Sequence, residues 1–206
     1  MNKILIADDH HIVRTGLIYL IKAEFLQAEI DECRDGNGAW EKIQANVYDL
    51  VILDISMPST DSFTLLRNIF ALRPSQKILI LTMSSEDIYA KKYLQLGVKG
   101  FINKEASPAE IRKAIVCILN NKRYMSSRIK DTLTIEMLDE EAKSLFDTLS
   151  PREMEIMNHL IEGKNVSQIA SMLSLHISTV STHKANILHK LGVANVIELS
   201  KLVQMY

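Results

Sequence analysis

The segment Leu50-Val51-Ile52-Leu53-Asp54 constrains this chain more than any other: four consecutive aliphatic residues end abruptly on a carboxylate. A run so short and so uniformly apolar fits a strand covered on both faces, and that requires a parallel sheet with helices on either side. Four further runs have a similar form: Lys3 to Asp8, roughly Ala28 to Cys33, Lys77 to Thr82, and Lys99 to Asn103. Between the runs, Val13 to Ala23, Gly38 to Ala45, Leu65 to Leu72, Ile88 to Leu96 and Ala109 to Leu119 repeat apolar residues at three- and four-residue spacing, the period of a helix facing a core. Five strands alternating with five helices over residues 1–120 predict an α/β domain built on a doubly wound, five-stranded parallel sheet.

Residues 121–148 carry fewer aliphatics, mix charges of both signs and show no strand pattern, which predicts a helical or flexible linker. From residue 149 to 206 the pattern is helical and punctuated by turns. Ser150-Pro151 followed by Glu153 marks a helix start, and Gly163 ends that helix. A short helix covers about Val166 to Leu173. After a turn at Ser174 to Ile177, Ser178-Thr179 opens a longer helix to Leu191, stopped by Gly192. Two helices joined by a tight turn predict a helix-turn-helix within a second, smaller all-α domain.

Composition removes other classes. With 206 residues, 47% apolar and 24% charged, the chain can bury a sizeable core. Its longest apolar run, Ala114 to Leu119, is far short of the ~18 residues of a membrane span, and the N-terminal run meets Asp8 and Asp9 too soon for a secretory signal. A cytoplasmic protein is expected. Cys33 and Cys117 stand far apart without clustering, so neither a disulfide framework nor a zinc site is indicated. Lys and Arg stand against Asp and Glu at 14 to 15 over residues 1–120, 5 to 6 over 121–149 and 5 to 4 over 150–206, so only the C-terminal piece is net positive.

In an open parallel sheet, ligands bind outside the carboxyl ends of the strands. Here the strand ends carry Asp8 and Asp9, Asp54, Thr82 and Lys104, which four connections would bring to one pocket. Three carboxylates at close quarters repel and call for a cation, and a hard divalent ion with oxygen ligands, Mg²⁺, suits them. Asp54 could then act as a nucleophile toward a phosphoryl group, with Lys104 and the Thr82 hydroxyl holding the phosphoryl oxygens. Taken singly, Asp9 reads equally well as a helix cap, Thr82 as a strand residue, Phe101 as a core aromatic, and Met57 and Met83 as packing.

Asp8-Asp9, LVILDISMP, ILILTM and GFINKEASPAEI together resemble the receiver domain of a two-component response regulator, with its flavodoxin-like fold. The resemblance implies Asp54 as phosphoacceptor, Asp8 and Asp9 as Mg²⁺ ligands with the Ser56 carbonyl as another, Thr82 and Phe101 as a switch pair, and Lys104 as phosphate anchor. It also implies a sensor histidine kinase as phosphodonor and no catalytic turnover beyond slow self-dephosphorylation. The chain departs from the family at Ser59 to Ser62, where a glycine is usual, and at Met83, where alanine is usual.

In the second domain, the helix from Ser178 to Leu191 puts Val180, Ile187 and Leu191 on one stripe and Ser181, Thr182, Ala185 and His189 on the opposite side, small enough to approach the major groove closely. Lys184 and Lys190 flank that side and can meet phosphates, while Ser178, Thr179 and the helix N-terminus offer neutral donors. Residues 150 to 206, through LSPREMEIMNHLIEGKNVSQIASMLSLHISTVSTHKANILHKLGVANVIEL, resemble the LuxR-type helix-turn-helix of NarL/FixJ-class response regulators. That implies Ser181, Thr182 and Ala185 at base edges of double-stranded DNA, Thr179 and Lys184 on the backbone, and a last helix, with Val196, Leu199 and Val203, that pairs two copies. Ser181 and Val196 depart from the lysine and arginine the class often carries. The expected output is a homodimer formed on phosphorylation. Two rivals stand beside this reading. One is a DNA-binding regulator that works without phosphorylation, its receiver serving to dimerise; the other is a phosphatase, disfavoured because Ser56 stands where a general acid would be needed.

Overall fold

The computed structural model describes residues 2–130, 145–173 and 175–205. The chain divides into two compact units, Met1–Thr132 and Leu133–Tyr206. In the first, strands β1 (Lys3–Ala7), β2 (Glu29–Cys33), β3 (Leu50–Leu53), β4 (Ile78–Thr82), β5 (Gly100–Asn103) and β6 (Tyr124–Met125) form one sheet in the order β2-β1-β3-β4-β5-β6. Every neighbouring pair is parallel. The order reverses between β1 and β3, so the ends of those two strands open on the crevice where such folds take their ligands.

Helices α1 (His11–Glu24), α2 (Gly36–Ala45), α3 (Ser62–Leu72), α4 (Glu86–Leu96) and α5 (Pro108–Leu119) fill the connections. Strand residues alternate between the two faces. Ile4, Ile6, Leu50, Ile52, Leu79, Leu81 and Ile102 join Leu17 and Ile21 of α1 and Ile111, Ala114, Ile115 and Ile118 of α5 in one core. Leu5, Val51, Leu53, Ile78, Ile80 and Phe101 are also fully buried and alternate with these along their strands. The helices begin earlier than their apolar periodicity indicates because polar caps add a first turn: Asp35 accepts from Gly38 N, Asp61 from Thr64 N and Ser107 from Glu110 N.

Five strands were expected and six are present. The sixth is only two residues long, in a polar stretch where no period can show. It is held by pairing with Gly100 and Phe101, by burial of Tyr124 and by the Tyr124 hydroxyl donating to Glu110. Of the stretch read as linker, 121–148, residues 121–130 thus belong to the first unit, with Tyr124 and Met125 in its sheet, residues 145–148 form a turn of the second, and 131–144 lie outside the described residues.

The second unit starts its core with Phe146 and Leu149, from a 3-10 turn at Leu145–Thr148. Four helices follow: α6 (Pro151–Ile161), α7 (Val166–Met172), α8 (Ile177–Lys190) and α9 (Val196–Gln204). Capping boxes open two of them, Ser150 with Glu153 and Asn165 with Gln168. Gly163 and Gly192 follow α6 and α8 in left-handed conformations that suit glycine. Ser178 and Thr179 do not cap α8: it begins at Ile177 after His176, so both lie in its first turn.

Candidate functional site

The acidic site is built by backbone register. Asp54 N donates to Ala7 O and Lys104 N to Thr82 O, so the sheet ladder carries just past the ends of β1, β3, β4 and β5 and brings their polar ends side by side. Asp8 and Asp54 are each 2% exposed. Lys104 Nζ lies 2.6 Å from Asp54 Oδ2 and 2.8 Å from Asp8 Oδ2, a bridge between the two carboxylates. The other oxygens are occupied as well: Asp54 Oδ1 accepts from Ser56 N and Asp8 Oδ1 from His10 N. Burial lifts the Asp54 carboxyl above its usual range, with Lys104 pulling against that and Asp8 adding to it. Burial also works against the Lys104 ammonium, but the two carboxylates outweigh it and hold its pKa above the ordinary lysine value.

Asp9 is not a helix cap. The cap position of α1 is His10, and no side chain caps that helix. Asp9 instead faces the cluster: ligating atoms of Asp8, Asp9, His10 and Asp54 all lie within 4.8 Å of one another. The donor set fits a divalent cation, because Asp9 Oδ1 is buried yet accepts no hydrogen bond, and because three acidic side chains face a single ammonium.

Three hydroxyls line the same pocket. Ser56 Oγ is 3.3 Å from Thr82 Oγ1 and 3.5 Å from Ser84 Oγ, and Thr82 Oγ1 is 3.4 Å from Ser84 Oγ. Thr82 is wholly buried. Phe101 is buried too and sits 5.9 Å from the Tyr93 ring, which stacks on Phe63 at 4.5 Å and bonds Ser62 through its hydroxyl. Met57 packs inside as expected. Met83 does not: it is 57% exposed, because it follows the strand end where the chain leaves the core. Ser59 holds φ 54°, a left-handed conformation that suits glycine better than a residue with a side chain.

Two residues beside the site were not read from the sequence. His10 stands directly after the acid pair, and that Asp-Asp-His run was the available signal. Arg14 is 5% exposed and donates to Asp8 O at 2.7 Å and to Glu32 at 2.9 Å. Its burial falls on the apolar face of α1, where a charge has no periodic signature.

In the second unit, α8 buries Val180 and Ile187 and exposes Ser178, Ser181, Thr182, Ala185 and His189, with Thr179 and Lys184 half-buried. Lys190, expected as a phosphate contact, is exposed, and its ammonium bonds Glu153 Oε2 at 2.7 Å, with Glu153 itself nearly fully buried. Burial alone would raise the Glu153 carboxyl, but Lys190 and the Ser150 bonds outweigh it and hold it below the usual range. Leu199 is corrected outright. It is wholly buried in its own unit and has no surface to offer a second copy, whereas Val196 and Val203 are half-buried and Ile197, one position along, is 70% exposed.

Residues 4–116 match the family described as response regulator receiver domain, and residues 147–203 match bacterial regulatory proteins of the luxR family. Response regulator UvrY of Escherichia coli O6:H1 is 30% identical over 98% of this chain and 93% of its own. Oxygen regulatory protein NreC of Staphylococcus carnosus is 32% identical over 96% and 94%. Among solved structures, RcsB of Salmonella enterica serovar Typhimurium, bound to promoter P1flhDC in the presence of the phosphomimetic BeF3-, aligns with a TM-score of 0.80 at 27% identity, covering 100% of this chain and 99% of that one. The chain belongs to the two-component response regulators of the NarL/FixJ class, a receiver domain joined to a LuxR-type DNA-binding domain.

Proposed function

We propose that this chain is a phosphorylation-switched transcriptional regulator in which Asp54 accepts a phosphoryl group from a histidine kinase. The observation that carries the reading is Asp54 itself: a buried carboxylate, raised by its surroundings, bridged by Lys104 to a second buried carboxylate and flanked by Asp9. An Asp54 oxygen attacks the phosphorus, the bond from phosphorus to the donor nitrogen breaks, and the product is an acyl phosphate on Asp54. Lys104 leaves its carboxylate partner for a phosphoryl oxygen, and the Thr82 hydroxyl donates to another. Asp8, Asp9 and Asp54 would hold Mg²⁺, with the Ser56 carbonyl as a further ligand. The bound ion supplies charge neutralisation while dianionic phosphate enters a buried acidic pocket.

The added charge draws Thr82 away from Ser56 and Ser84 and biases the β4 to α4 connection and the Phe101 cluster toward the active state. The output is a homodimer that presents two copies of α8 to double-stranded DNA. Ser181, Thr182 and Ala185 face base edges, and Ser178, Thr179 and Lys184 hold the backbone. We place the protein in the cytoplasm, where kinase and DNA are met, and assign it no catalysis beyond slow hydrolysis of its own acyl phosphate. Incubation with acetyl phosphate and Mg²⁺, followed by mass spectrometry, tests the reading. A single phosphoryl adduct on the wild type and none on Asp54→Asn supports it, while an adduct that persists on Asp54→Asn overturns it.

A further inference from the structure

We propose that the DNA-binding unit selects its sites through thymine C5-methyl groups, with Ile177 as the residue that sets this preference and the methyls of Thr182 and Ala185 beside it. The inference rests on the reading of α8 as the helix that enters the major groove. The sequence pattern puts Ile177 in the turn, but in the structure it is the first residue of α8. It is 56% exposed, an aliphatic side chain uncovered at the leading end of the helix. Ser181 and Lys184 follow it at four and seven residues along one stripe, so Ile177 stands next to a position assigned to base edges. From Ile177 to Ala185 the helix rises about 12 Å, close to the ~12 Å width of the major groove.

Guanine is read by Arg or Lys, adenine by Asn or Gln and cytosine by Asp or Glu, each through hydrogen bonds to the base edge. In a helix-turn-helix the N-terminal residues of the second helix meet the bases. Over residues 177–185 the only member of that set is Lys184, which is half-buried on the flank, and His183 is half-buried as well. Asn186 and His189 are exposed but stand further toward the C-terminus of α8. The Thr182 hydroxyl donates to Ser178 O at 2.9 Å, so its hydrogen is held within the helix and the side chain offers an acceptor and a methyl. Ala185 offers a methyl alone. Ser178 and Ser181 supply hydroxyls, which accept from or donate to any base. Carbon therefore dominates what the leading turns present, and the thymine methyl is the apolar group that a base edge presents in the major groove.

Sites are first selected from a random duplex library by the full chain with Mg²⁺ and beryllofluoride. Each thymine of the selected half-site is then replaced singly by uracil, which removes the methyl and keeps every hydrogen-bonding group. The expected result is that uracil at one position weakens wild-type binding about fourfold, the loss of one methyl-sized apolar contact, and has no effect on Ile177→Ala. A second thymine should lose its methyl dependence in Thr182→Ser, which keeps the hydroxyl. Both side chains are exposed, so the fold of the unit does not depend on them. Uracil sites bound by the wild type as tightly as thymine sites overturn the proposal and leave α8 a DNA-reading helix. A methyl dependence that persists at every thymine in Ile177→Ala overturns it as well and assigns the contact to another residue. Selection that enriches no sequence overturns it together with the reading of α8, and leaves Ile177 to a protein partner.

Discussion

Replacing Lys104 by methionine isolates the electrostatics of the receiver site. Its ammonium, on a side chain 6% exposed, lies within 2.8 Å of two carboxylates that are themselves about 98% buried. Methionine keeps the stem and removes the charge, leaving Asp8 and Asp54 with donor atoms within 4.8 Å and no cation between them. At an effective dielectric of about 20, two such charges repel by about 3.5 kcal/mol, and breaking a buried pair costs about 3–5 kcal/mol. The first unit of Lys104→Met should therefore lose about 3–5 kcal/mol at pH 7 in chelator. Adding Asp54→Asn should return most of that loss, because the repulsion disappears with the second charge. Urea unfolding followed by Trp40, the sole tryptophan and a residue of α2, reports on this unit alone. A loss below about 1 kcal/mol in Lys104→Met, or no recovery in the double variant, would refute the reasoning.

Other outcomes follow from the same geometry. Because the Asp54 carboxyl is raised, the ionised form destabilises the fold; stability linked to this group is full below its unfolded value of about 4 and is lost as pH rises through the folded value. Asp54→Asn should thus be more stable than wild type at pH 7 in chelator, with the gap closing toward about pH 4; a gap constant with pH in chemical denaturation contradicts this. In the second unit, Leu199→Ala should cost about 2–5 kcal/mol by opening a cavity, whereas Ile197→Ser should leave unfolding unchanged and weaken pairing on DNA. Thermal melts and gel shifts separate the two. Lys184→Ala should reduce the salt dependence of DNA binding by about one ion, while Lys190→Ala should chiefly destabilise the unit by leaving the buried Glu153 carboxylate with its Ser150 N–H bond but without its ion-pair partner. Equal salt slopes for the two variants would remove that distinction.

The α/β order and the acidic pocket were legible in the sequence because both rest on strong local signals. Runs such as Leu50 to Leu53 can be little other than buried strands, and the polar residue ending each run is carried to the sheet edge by topology alone. What escaped has weak or non-local signals. Tyr124–Met125 is too short for a period and depends on β5 for its pairing. Lys190 sits on the exposed side of its own helix, and only the fold of the whole unit brings Glu153 to it across 37 residues of sequence. Leu199 and Ile197 are two positions apart in an apolar stretch, and helical phase alone does not say which of the two faces the domain core. Burial of Leu199 settles that: Leu199 faces the domain core, and Ile197 lies exposed on another side of α9.

The most direct test is molar mass in solution, by light scattering, for wild type and Asp54→Ala with and without Mg²⁺ and beryllofluoride, a mimic of a phosphoryl group on an aspartate. The account predicts that the wild type passes from monomer to dimer on loading and that Asp54→Ala stays monomeric throughout. An unchanged mass for the loaded wild type, or the same shift in Asp54→Ala, would contradict it.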